Sequence, residues 1–224
     1  MTHDWAEFVS WHEDRIERIA DAVVHFIGLA LAVAGAVVLL IHAFGVAGPA
    51  LSIAVCVYVT GLIAALTASS LYNIWPISRA KWILRRFDHS AIFLLIAATY
   101  TPFIAQMPTG AVSIALMGSI WGLAIVGIIL KIALPGRFDR VAVAAYLALG
   151  WCGVLVYPVI ADALPASTLW LIALGGGLYS FGVIFYAWER LRFSKAIWHV
   201  FVLAGAACHF IAVFDSLVKL SHVV

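Results

Sequence analysis

Four pairs of polar residues interrupt an otherwise apolar chain: Asp21 with His25, Ser69 with Asn73, Asp88 with His89, and Lys195 with His199. A carboxylate near an imidazole suits proton transfer or metal binding, and Ser69 adds a hydroxyl to the set. Asp21/His25, Ser69/Asn73 and Lys195/His199 are each four residues apart, so the members of a pair project from one face of a helix. What such groups do depends on the solvent around them. The chain is 65% hydrophobic and 11% charged, against about 25% charged in a soluble domain. In a bilayer an ionisable side chain is costly and by default points to function.

The elements that must position these residues are transmembrane helices. About 20 apolar residues cross a bilayer core of about 30 Å. Runs of that kind occur near residues 22–43, 51–72, 90–106, 111–133, 141–160, 168–188 and 196–214, the third being short. They are long and do not alternate, which excludes a barrel. The connections at 44–50, 107–110 and 161–167 carry no Lys or Arg, and of the thirteen basic residues only Lys219 falls on their side. The positive-inside rule therefore predicts a cytoplasmic amino terminus and an external carboxyl terminus. All four polar pairs then open or close helices at one depth, near the cytoplasm. The expected fold is a seven-helix transmembrane domain over residues 21–224. It is preceded at 1–20 by a cytoplasmic amphipathic segment in which Trp5, Phe8, Val9, Ile16 and Ile19 recur at helical spacing. That segment is too charged for a signal peptide.

Of the polar residues, Asp88 has the strongest claim to a site, because an acid that starts a span beside a basic loop turns inward. His199, Asp21 and His25 follow by the same argument. His209 lies about 15 Å deeper than His199 at helical rise and reads as a buried, hydrogen-bonded histidine. His3, His12, His42 and His222 read as surface residues, and Arg79, Lys81, Arg85 and Arg86 as interfacial anchors. Cys56, Cys152 and Cys208 stand singly in apolar runs, as packing residues do. Gly118 and Gly122, and the run Gly175, Gly176 and Gly177, permit close helix approach, read here as packing within the bundle. A net charge of +2 without a basic tract excludes nucleic acid as a partner.

Five stretches carry a resemblance that spans the chain: ERIADAVVHFIG at 17–28, SSLYN at 69–73, FDHSAIFLLIAATYTP at 87–102, GGGLYSFGVIFY at 175–186 and AIWHVFVLAGAACHF at 196–210. Together they resemble the hemolysin III family of bacterial membrane proteins, relatives of the progestin and adipoQ receptors. The resemblance implies seven helices with an inward amino terminus and a zinc ion near the cytoplasmic face. Three histidines would hold it, one ending the second helix and two beginning the seventh, with an acid of the third on the metal-bound water. It also implies metal-assisted hydrolysis of lipid amides and residence in the bacterial inner membrane.

Two of the three implied ligands are altered. The positions read Asn73 and Lys195, and only His199 remains. Asn is a poor zinc ligand and a protonated Lys has no lone pair to give. No cofactor is therefore expected at the family position. Lys195 is expected to pair with Asp88 where the ion would be, with Asn73 and Ser69 completing the hydrogen bonds. A relocated zinc site built from His199, Asp88 and one of His25, His89 or His209 stays open. Three functions follow. The first is a membrane-modulating protein that binds membrane lipid over Asn73, Lys195, Asp21 and His25. The second is a hydrolase of ceramide-like lipid amides using Asp88, Ser69 and His199. The third is a pore-forming cytolysin, against which stands the absence of a repeated polar face along any helix. Oligomeric state has no signature in the sequence.

Overall fold

A computed structural model of the chain describes residues 14–188 and 190–220. Trp5, Phe8 and Val9, with His3, His12 and His222, lie outside the described residues, and everything within them is helix, turn or loop. In chain order the helices are α1 (Arg15–Val46), α2 (Pro49–Ile74), α3 (Arg79–Ile104), α4 (Ala111–Ala133), α5 (Asp139–Trp151), α6 (Tyr157–Ala163), α7 (Ala166–Ala187) and α8 (Ser194–Leu220). A 3-10 turn at Cys152–Val156 joins α5 to α6, and the joined segment is the fifth of seven helices long and apolar enough to cross a membrane.

Helix starts follow local chemistry. Asp14 caps α1, its carboxylate accepting from Glu17 N–H at 2.8 Å while Glu17 accepts from Asp14 N–H at 3.0 Å. Residues 15–20, expected in the surface segment, are thus the opening turns of α1 itself, with Ile16 and Ile19 exposed. Ser78 caps α3 by accepting from Lys81 N–H. This start lies eleven residues ahead of the expected span at 90, because a helix that emerges into a basic layer keeps its hydrogen bonds after it loses its apolar composition.

Neighbours in sequence pack side by side from α1 to α4, α7 lies along α8, and α8 returns to α1. Leu39, Val55, Tyr58, Val213 and Leu217 are almost wholly buried where α1, α2 and α8 meet. At Gly61 an added Cβ would lie 2.5 Å from Ala98 Cβ, so a missing side chain sets the α2–α3 distance. Gly118 and Gly122 have open space around them instead, which corrects their reading as internal packing residues; Gly175, held against His209, does fill that role.

The fifth span is held least. Only Ala142 and Leu149 of α5 are buried, and no residue of the 3-10 turn or α6 is. Its break has a local cause. Pro158 opens α6 without an N–H to continue the ladder. Tyr100 of α3 serves the interrupted backbone, its hydroxyl donating to Gly150 O at 2.6 Å and accepting from Gly153 N–H at 3.1 Å. Irregular backbone at such a depth needs this kind of internal partner.

Candidate functional site

One face of α1 carries Glu17, Asp21, His25 and Gly28, and all four meet the start of α8 or the loop before it. Glu17 accepts from the backbone N–H of Phe193 at 2.8 Å. One turn on, Asp21 Oδ1 and His199 Nδ1 are hydrogen-bonded at 2.5 Å. His25 stacks obliquely on His199, with ring centroids 4.3 Å apart, and its Nε2 lies 3.5 Å from Asp21 Oδ2. At Gly28 an added Cβ would come within 2.7 Å of Leu203 Cδ1, so the absence of a side chain lets α8 approach at this level. Asp21, His25 and His199 are all buried. One donor atom from each lies within 4.8 Å of the others, a spacing that could hold a metal ion.

The second pair, Ser69 and Asn73, is turned upon itself. Asn73 Nδ2 donates to Ser69 O at 2.9 Å and to Ser69 Oγ at 3.3 Å. Lys195 and Asp88 line the same cavity as Asn73, Ser69, His25 and His199. Among the described residues no ion pair joins Lys195 to Asp88, so the structure does not contain that expected contact. The partner of His199 is an acid of α1, not the acid of α3.

A second charged group at this end was not foreseen. Asp139, the first residue of α5, binds Arg85 at 2.6 Å and Lys131 at 2.6 Å, with His89 Nδ1 at 3.7 Å. Arg85 is therefore an internal ion-pair partner and not an interfacial anchor. Lys81 also does more than anchor, since its ammonium donates to Trp75 O at 2.9 Å and Asn73 O at 3.3 Å at the carboxyl end of α2. The signal for Asp139 was in the sequence: it is an acid opening a span between Arg137 and Arg140, the pattern that singled out Asp88. His209 bonds to Ile172 O at 3.2 Å. His42, expected at the surface, is half-buried against Phe214 with ring centroids 5.0 Å apart.

The cavity has a volume of about 360 Å³. Its polar end is walled by His25, His199, Ser69, Asn73, Asp88 and Lys195 together with Tyr72, Tyr186, Arg85 and Asp139. From there it follows α3 from Asp88 to Ile104, about 24 Å at helical rise, between apolar residues such as Leu66, Ile92, Ile96, Phe103 and Ile160. Beside the break in the fifth span its lining includes Val154 and Tyr157, which are also exposed on the outer surface.

A family model described as haemolysin-III related matches residues 11–210, from before the first described residue well into α8. The chain belongs to the haemolysin-III family. It is 37% identical to Hemolysin-3 of Bacillus cereus over 88% of this chain and 90% of the relative. It is 36% identical to a Hemolysin-3 homolog of Bacillus subtilis (strain 168) over 91% and 95%. A more distant relative is the human monocyte to macrophage differentiation factor, 28% identical over 73% of this chain and 70% of that protein. No solved structure gives a significant match. With this family and seven membrane-length helices, the chain is a multi-pass membrane protein. The zinc position that the resemblance implies does not fit the haemolysin-III chain described here. Asn73 holds its amide against its own helix and Lys195 offers an ammonium, so two of the three positions supply no suitable donor.

Proposed function

We propose that this haemolysin-III protein binds a membrane lipid inside its helix bundle, head toward the cytoplasm and chain along α3, in the bacterial inner membrane. The shape of the cavity carries this reading. A small volume drawn out over the greater part of a membrane thickness, apolar along its walls and polar at one end, matches a single-chain amphiphile. The basic residues gathered at the polar end support its cytoplasmic orientation. Exposed cavity residues at the break in the fifth span offer the chain a route from the bilayer. Apolar walls also favour a lipid over a column of water, which a pore would need.

The test is recovery of the guest. Protein purified in mild detergent and extracted should release one single-chain lipid species in near-stoichiometric yield by mass spectrometry. Ala65→Phe, which fills the cavity beside His25 and Ser69, should lower that yield in a variant that still elutes as a single species. Equal recovery from the variant, or none from the parent, removes the proposal. The hydrolase reading draws on a separate observation: Ser69, Asp88 and His199 all line the cavity, and His199 is oriented by Asp21. Turnover of a ceramide-like substrate that Asp88→Ala abolishes would establish it; bound lipid without turnover would remove it.

A further inference from the structure

His25 is 4% exposed, and its Nε2 has no hydrogen-bond partner. Native proteins seldom leave a buried ring nitrogen in that state unless a bound group completes it. The nitrogen is not aimed at apolar packing, since Asp21 Oδ2 is 3.5 Å away and the ring of His199 overlies it. Two imidazoles and one carboxylate are the donor set of an open divalent-metal centre. In such centres three protein groups bind the ion and a fourth position stays free. Here that position would face the cavity, which both histidines line, with Asp88 in the same lining.

We propose that Asp21, His25 and His199 bind a divalent first-row transition cation, zinc by the character of its donors, between α1 and α8. The ion replaces the hydrogen bond between Asp21 and His199 and gives His25 Nε2 the partner it lacks. The site keeps His199 from the position implied for the family and draws its other two ligands from α1 in place of residues 73 and 195. The neighbouring charges along the two helices, Glu17 before Asp21 and Lys195 before His199, are of opposite sign. The α1–α8 contact is braced on both sides, by the Glu17–Phe193 bond and by Gly28 against Leu203, so the three donors are preorganised.

The proposal does not depend on lipid binding, and its readout is metal. Protein purified by a tag that contains no metal should carry about one zinc or iron per chain by elemental analysis. Asp21→Asn and His25→Gln should each weaken retention about a hundredfold, while Asn73→Ala and His42→Gln retain the ion. Retention in the first two with loss in Asn73→Ala overturns the assignment. So does a parent without metal whose chelator-treated form takes up no zinc at micromolar concentration. Should the α1 variants fail to fold, the parent loaded with Cu²⁺ settles the matter by electron spin-echo modulation. Two coordinated imidazoles are expected, and any other number overturns the site. In the Asn73→His, Lys195→His background the ion should become insensitive to Asp21→Asn, because His199 then has its other partners. Continued dependence on Asp21 there places the metal chemistry elsewhere and overturns the shared role of His199.

Discussion

Asp21 and Asp139 stand at the same end of the bundle, each opening a span and each drawing several nitrogens, yet their partners differ in kind. Asp139 is held by a guanidinium and an ammonium at 2.6 Å, charges that do not leave. Asp21 is held by two imidazoles, which can give up a proton and accept a metal. One cluster can only tie α3, α4 and α5 together; the other can change state. The largest expected effect follows from the first. Asp139→Asn leaves Lys131, 6% exposed in its side chain, and Arg85, 12% exposed, facing each other without an anion. Losing one partner of a buried ion pair typically costs about 3 to 5 kcal/mol. Because Asp139 itself is 28% exposed, a loss near the lower limit, about 3 kcal/mol, is expected in denaturant unfolding in micelles. A change under about 1 kcal/mol would mean that solvent already screens the group, and the contrast with Asp21 would fall.

Metal sharpens the comparison at the next size. Zinc at a hundred times its dissociation constant should stabilise the parent by about 2.7 kcal/mol. It should stabilise Asp21→Asn, which binds about a hundredfold more weakly, by only about 0.4 kcal/mol, and Asp139→Asn as it does the parent. In metal-free protein Asp21→Asn should cost only about 1.5 kcal/mol, the worth of a hydrogen bond to a charged group, since an amide can still accept from one imidazole. Equal zinc response in both aspartate variants would erase the distinction between a fixed and an exchangeable cluster.

Much of this was readable in the chain and some was not. Seven apolar runs and one-sided charge specify the helices, because the bilayer imposes a single length and penalises charge wherever the helices go. Of the four polar pairs every member but Asp21 lines one cavity, and Asp21 is hydrogen-bonded to His199 of that lining. What spacing could not supply is which helix stands beside which. The start of α8 was expected to meet Asp88 on α3 through Lys195, and it meets Asp21 on α1 through His199, where Gly28 admits Leu203 and Glu17 holds Phe193. Those are contacts between residues more than 170 apart in sequence, invisible to periodicity. The break at Cys152–Val156 was half visible: Pro158 marks where the ladder must fail, but Tyr100, which makes the failure tolerable, sits on another helix.

The smallest expected effect is the finest probe of the contrast, because it concerns the same kind of contact in the two settings. His89 Nδ1 lies 3.7 Å from Asp139 Oδ1, much as His25 Nε2 lies 3.5 Å from Asp21 Oδ2. Beside Asp139 the histidine adds little, since the carboxylate is already satisfied by two permanent cations at shorter range. His89 also packs at right angles to Tyr72, and the hydrogen bond from Tyr146 goes to its backbone carbonyl, which a side-chain change leaves in place. His89→Gln should therefore shift stability by no more than about 0.5 kcal/mol, the range of substitutions that break no key contact, and leave metal content unchanged. His25→Gln, although it alters a contact of nearly the same length, should lose the ion. Metal loss in His89→Gln with retention in His25→Gln would exchange the roles of the two aspartates, making the cluster on α5 the changeable one and the cluster on α1 the brace.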